Sequence, residues 1–189
     1  MLIYIHGFNS SPASTKARQL QARLEALGRA DDLACPPLPD RPAQAIELLE
    51  AQMARAPAAR VTLVGSSLGG FYATWLAEKH GVRAVLVNPA ITPHEGLRAY
   101  LGPQKNLHTG APYALTERHL EELRALFVPQ PTQLERYYLV VTTGDEVLDY
   151  RQAVAKYAGA RQLVVQGSDH GFADFEQHID SVLAFAGIA

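Results

Sequence analysis

The chain contains one cysteine, Cys35, in 189 residues, so no internal disulfide can form and no paired thiols suggest a zinc site. Neither sign of charge is in surplus: 17 basic residues face 19 acidic ones, for a net charge of −2. Nucleic acid is bound through a clustered basic surplus, so it is not an expected partner. No apolar run approaches the roughly 18 residues that a membrane span requires. None of the seven histidines pairs with another at metal-site spacing on one helix face, so neither metal nor cofactor is expected. Met1-Leu2-Ile3-Tyr4-Ile5 lacks the basic region and cleavage site of a secretory leader, which makes a cytoplasmic location the expectation. The sequon Asn9-Ser10-Ser11 is discounted on the same ground. What the chain does have is 48% hydrophobic residues, with 19% charged, a globular balance that excludes disorder and coiled coil. Its length suits one domain over residues 1–189, able to bury about 70% of the surface its unfolded form exposes.

Short apolar runs recur at Leu2–Ile5, Val61–Val64, Ala84–Val87, Tyr137–Val141 and Leu163–Val165, with a weaker one at Leu33–Cys35. They are continuous rather than alternating, as in strands buried on both faces. Helical patterns lie between them at Ser14–Leu27, Pro42–Ala54, Gly70–His80, Tyr150–Tyr157 and Phe172–Phe185, and Gly28, Gly81 and Gly159 sit where helices should stop. Alternating strands and helices predict an α/β fold, a six-stranded mainly parallel sheet flanked by helices and crossed right-handedly. Residues 91–136 break the rhythm with no strand pattern and five prolines, and read as a short helical, cap-like insertion. Within it Thr116 is placed as an N-cap, Leu115 and Leu120 as a hydrophobic staple, and Leu120, Leu123 and Leu126 as one helix face.

Chemistry concentrates in four turns. Gly65-Ser66-Ser67-Leu68-Gly69 follows a buried strand and opens a helix carrying Tyr72, Trp75 and Leu76. A sharp strand-to-helix turn strains its central residue, and glycines two positions either side remove the collisions that side chains would cause. Ser67 is then lifted above the sheet at a helix N-terminus, which favours developing negative charge. The plainer reading is a glycine-rich turn that cradles a phosphate. A serine hydroxyl needs a base, and the base an orienter. His170, in Gly167-Ser168-Asp169-His170-Gly171-Phe172 after the last strand, is the candidate base. Asp145, first after the penultimate strand and its glycine, is the candidate acid, with Glu146, Asp149 and Asp169 as rivals. The first strand runs into His6-Gly7-Phe8-Asn9, where the Phe8 N–H could join that of Leu68 as an oxyanion hole. All four turns fall at strand carboxyl ends, where open parallel sheets bind ligands. The order Ser, acid, His is that of an α/β-hydrolase triad.

These segments give the chain a resemblance to the α/β-hydrolase superfamily, and within it to the small YqiA-type esterases. The resemblance runs nearly end to end. It rests on Tyr4–Pro12, Val64–Trp75, Val87–Ala90, Thr143–Ala153 and the Asp169–Phe172 turn. It implies hydrolysis of a small-molecule carboxyl ester or thioester, with Ser67 as nucleophile, His170 as base and Asp145 as acid. It also implies strand order 2-1-3-4-5-6 and a sheet without the first two of the usual eight strands. Leu115, Leu120, Leu123 and Phe127 are candidates to shape an acyl pocket, though core positions suit them as well. The alternatives are a non-catalytic module that holds a small anionic ligand, and a peptidase or acyltransferase on the same triad.

Overall fold

The computed structural model describes residues 1–188. Six strands form one parallel sheet: β1 (Leu2–Ile5), β2 (Leu33–Ala34), β3 (Thr62–Ser66), β4 (Arg83–Val87), β7 (Tyr137–Thr142) and β8 (Arg161–Val165), in the order β2-β1-β3-β4-β7-β8. Counting only these six, the order is the expected 2-1-3-4-5-6. The runs are continuous because both faces are covered. Leu2 and Tyr4 of β1 point into one core with Val64, Val85 and Val140, while Ile3 and Ile5 point into the other with Leu63, Leu86 and Leu139. One core is closed by α1 (Thr15–Ala26) through Leu20 and Leu24 and by α7 (Ile179–Phe185) through Val182. The other is closed by α2 (Pro42–Met53), α3 (Leu68–His80), α5 (Glu117–Ala125) and α6 (Tyr150–Lys156). No helix among the described residues is long and apolar enough to cross a membrane.

Helix ends follow the punctuation in the sequence. Gly28, Gly81 and Gly159 all adopt positive φ, at 67°, 69° and 98°, a region where glycine meets no Cβ penalty. Thr116 caps α5 in a capping box closed by the His119 side chain.

The sequence expectation fails in two places. Residues 91–136 do contain strand: β5 (Gly102–Lys105) and β6 (Pro112–Leu115) form an antiparallel ribbon, preceded by the short helix α4 (Pro93–Gly96). Pro103 and Pro112 look like strand breakers, but a two-stranded ribbon has only edges, where a missing N–H is tolerated. The helix expected over Phe172–Phe185 is also cut short. Phe172 has φ 57° and buries its ring against Phe175 and His178, so α7 begins only at Ile179, after a 3-10 turn. Burial of one aromatic side chain overrides the local helical pattern there.

Candidate active site

The carboxyl edge of the sheet carries the site. At the end of β3 the backbone turns through Ser67, whose φ of 55° and ψ of −119° is a strained conformation for a residue with a side chain. The strain is held by packing on all sides. A Cβ on Gly65 would lie 2.3 Å from the Gly69 carbonyl oxygen, and one on Gly69 would lie 1.9 Å from that of Ile5. The Ser67 N–H donates to the Val87 carbonyl at 3.0 Å, and its own carbonyl accepts from Gly70 and Ala90 at 2.9 and 3.1 Å.

Ser67 Oγ lies 3.1 Å from Nε2 of His170, and Nδ1 of His170 lies 2.8 Å from Oδ2 of Asp145. A carboxylate only accepts, so Nδ1 carries a proton, and in the neutral imidazole Nε2 then presents a lone pair to Ser67. The Asp145 side chain is 1% exposed and that of His170 is 21% exposed. Burial alone would push the Asp145 carboxyl up. The hydrogen bond from His170, with those from the Leu148 and Val147 N–H groups to Oδ1 at 2.8 and 2.9 Å, outweighs it and holds the group below the ordinary carboxylate value.

The structure brings Ser67, His170 and Asp145 together and parts them from the rival acids. Glu146 accepts the backbone N–H of His170 at 3.0 Å and does not reach the imidazole. Asp149 caps α6 by accepting from Arg151 N–H, and Asp169 accepts from Ala173 N–H. Gly7 runs so close to the nucleophile turn that a Cβ there would sit 3.1 Å from that of Ser67. This brings Phe8 and Leu68 to the same cavity as Ser67 and His170, and the N–H of neither donates to an acceptor among the described residues. His6 is spent on structure: its Nδ1 faces the Gly7 carbonyl at 3.2 Å and its Nε2 accepts the Leu38 N–H at 3.2 Å. Burial pushes the Cys35 thiol up to about 12, which removes it as a competing nucleophile.

A cavity of about 470 Å³ opens beside Ser67 and His170, walled by Ile91, Pro93, Leu97, Tyr100, Val147 and Leu148. Leu115, Leu120, Leu123 and Phe127, the pocket candidates from the sequence, do not line it. Leu115, Leu120 and Leu123 are buried, and Phe127 packs against the core. The helical spacing of Leu120 and Leu123 is a core signal, whereas the wall is assembled from the short helical turns at 93–100 and the loop after β7.

Two further supports lie outside the four turns singled out in the sequence. Asn88, at the end of β4 with φ 41°, donates from Nδ2 to Thr142 Oγ1 and to the carbonyls of Asp169 and His170, while its Oδ1 accepts the Thr142 N–H. Lys16, from α1, donates to the Gly171 carbonyl at 2.6 Å. Burial lowers its ammonium to about 8, although Asp169 and Asp145 act in the opposite direction.

A parallel sheet in this order, covered on both faces, with a strained serine turn after its third strand, defines the α/β-hydrolase fold. Solved structures agree. The chain superposes on a protein from Agrobacterium vitis S4 with a TM-score of 0.74 at 17% identity, covering 98% of this chain and 87% of that one. Alpha/beta hydrolase domain-containing protein 10 from mouse gives 0.70 at 15% identity, covering 97% and 89%. The esterase domain of a Rhodothermus marinus protein gives 0.67 at 16% identity, covering 98% and 85%. The chain itself belongs to the family described as "Uncharacterised protein family (UPF0227)", the YqiA family, whose model matches residues 1–187.

Proposed function

We propose that the protein is a serine-dependent hydrolase of carboxyl esters or thioesters that works through an acyl-enzyme. One observation carries the reading: a strained, exposed-edge Ser67 hydroxyl within 3.1 Å of an imidazole whose other nitrogen rests on a buried carboxylate. In the proposed reaction His170 Nε2 takes the Ser67 proton as Oγ bonds to the substrate carbonyl carbon. The carbonyl π electrons pass to oxygen, and the N–H groups of Phe8 and Leu68 bind the resulting oxyanion. Losing one such donor typically costs about 3 kcal/mol of barrier. Asp145 holds the imidazole tautomer and stabilises its cationic form. The carbon–oxygen or carbon–sulfur bond then breaks, and the alcohol or thiol leaves with the proton from His170. Water repeats the sequence on the acyl-Ser67 ester and releases the acid. The apolar wall beside Ser67 suits the acyl group, and the esterases among the structural neighbours support the ester side of the reading.

The test is labelling by a fluorophosphonate, which requires an activated serine, combined with hydrolysis of acyl esters and thioesters of graded chain length. Wild-type protein should be labelled at Ser67. Ser67→Ala should remain folded and lose about 10³-fold or more of its activity. Undiminished hydrolysis by Ser67→Ala would overturn the assignment, and absence of labelling would favour a non-catalytic anion-binding module.

A further inference from the structure

The β5–β6 ribbon stands outside the main sheet, yet its polar contacts converge on the loop after β1. Asn9, next to Phe8, has φ 54°. Its Nδ2 donates to Gln104 Oε1 at 3.1 Å, and its Oδ1 accepts the Tyr113 hydroxyl at 2.7 Å. Its carbonyl accepts the Leu107 N–H at 2.8 Å, and the carbonyl of Ser10 accepts Asn106 Nδ2 at 2.7 Å. The Phe8 ring meets Tyr100 edge-on at 6.3 Å between centroids. Every one of these contacts comes from residues 100–113.

From this geometry we infer that the ribbon is a splint for the oxyanion loop: Gln104, Tyr113 and the Leu107 backbone grip Asn9 and so aim the adjacent Phe8 N–H at the carbonyl oxygen on Ser67. The inference rests on the proposed function and deepens it. The left-handed backbone at Asn9 suits a turn that the Ser10 N–H closes onto the Gly7 carbonyl at 3.3 Å, and the groups that fix the Asn9 side chain and carbonyl come from the ribbon and its connecting loop. An oxyanion donor acts only within a narrow distance of the developing charge, and a displacement of about 1 Å can cost on the order of 10²-fold in rate. Gln104 and Asn9 are therefore positioning residues that act through Phe8. Gln104 lines neither the cavity beside Ser67 nor its neighbour behind Phe8, so it has no direct route to substrate.

Gln104→Ala should lower kcat by about 3- to 10-fold with KM unchanged, a fraction of the loss for deleting a donor outright. Gln104→Glu keeps an acceptor for the Asn9 amide while losing, as the Ala variant does, the Nε2 donation to the Tyr100 carbonyl at 2.6 Å, and should recover most of the kcat lost in Gln104→Ala. Asn9→Gly, which tolerates the backbone conformation but releases the grip, should lose about 30- to 100-fold. Across the three variants, affinity for a trifluoromethyl ketone, which forms a tetrahedral oxyanion on serine, should fall in step with kcat/KM. Inhibition by the unfluorinated ketone should not move. Wild-type kcat in Gln104→Ala, equal losses in the Ala and Glu variants, or unchanged trifluoromethyl ketone affinity would each overturn the splint. If Asn9→Gly does not fold, the Gln104 pair decides alone. Ser67→Ala assayed alongside separates the two levels: if it stays active, the hydrolase reading fails, whereas an inactive Ser67→Ala beside a fully active Gln104→Ala fails the splint only.

Discussion

Ser67 and His170 are presented by two turns on the same sheet edge, and different forces hold them. The Ser67 turn is held by exclusion. Gly65 and Gly69 bring backbone against backbone so closely that added Cβ atoms would meet carbonyl oxygens at 2.3 and 1.9 Å, and one on Gly70 would meet the Pro89 ring at 2.7 Å. The His170 turn has one such approach, where a Cβ on Gly144 would lie 2.2 Å from the Ser168 carbonyl oxygen, and around the imidazole itself it is held by polar ties: Asn88 and Thr142 to the Asp169 carbonyl, Glu146 to the His170 N–H, and Lys16 to the Gly171 carbonyl. Steric locking suits the proposed nucleophile, an atom that would have to stay put during attack. Hydrogen-bonded support suits the proposed base, an imidazole that would take the Ser67 proton and hand it to the leaving group while resting on Asp145. The difference also sets how substitutions act, abruptly at the first turn and by degrees at the second.

The comparison can be broken at either end. Asp145→Asn should have the largest effect, lowering kcat about 10³- to 10⁴-fold by reversing the imidazole tautomer. Asp149→Asn should stay within about twofold, because it loses only part of a helix cap; a larger loss there than for Asp145→Asn in the same ester assay would reverse the assignment. Gly69→Ala should cost more than about 3 kcal/mol in urea unfolding, since backbone cannot yield as a flexible side chain can. Gly171→Ala in the other turn meets only the Asp169 carboxylate at 3.1 Å and should cost under about 1 kcal/mol. Equal unfolding midpoints for these two would erase the distinction between steric and polar support. Asn88→Ala leaves the buried Thr142 N–H without its acceptor and should cost about 2 kcal/mol by the same measurement.

Smaller effects sharpen the second turn. Glu146→Gln keeps an acceptor for the His170 N–H but loses its charge, and kcat should fall no more than about threefold. The smallest effect is a change of slope at Lys16. Below about pH 8 its ammonium is charged in both folded and unfolded chains, so the burial cost is fully present. Between there and the ordinary lysine value, about 10.4, the unfolded chain holds a proton that the folded one has released, so this group adds stability as pH rises. The stability of wild type relative to Lys16→Met should accordingly increase from pH 7 to pH 10. A difference that stays flat with pH would show that Lys16 is not buried in solution.

Much of the edge was legible because its constraints are local. The spacing of Gly65, Ser67 and Gly69 encodes a backbone collision within five residues, and the continuous run at Val61–Val64 announces a strand covered on both faces. Thr116 and Gly81 marked helix ends through hydrogen-bonding and φ preferences that any chain shares. The ribbon at 102–115 was not legible, because its prolines are favourable only once the strands are known to be edges. The break at Phe172 depends on a ring finding Phe175 and His178. The cavity wall escaped for a related reason: Ile91, Leu97 and Tyr100 come from one short segment after β4 and Val147 from the loop after β7, and only the fold brings the two together.

Local residue patterns dictate the alternation of strands and helices, the serine turn and the order of Ser67, Asp145 and His170 along the chain, because each follows from the reach and sterics of a few neighbouring residues. Only the tertiary structure decided which carboxylate meets the imidazole. Asp145 and Glu146 are adjacent in sequence and equally acidic, and what separates them is the direction in which one β7–α6 loop aims its side chains. The tertiary structure also decided that the ribbon grips Asn9, a contact spanning 95 residues from Gln104. Contacts of that range are set by how two surfaces meet, and no local pattern encodes them.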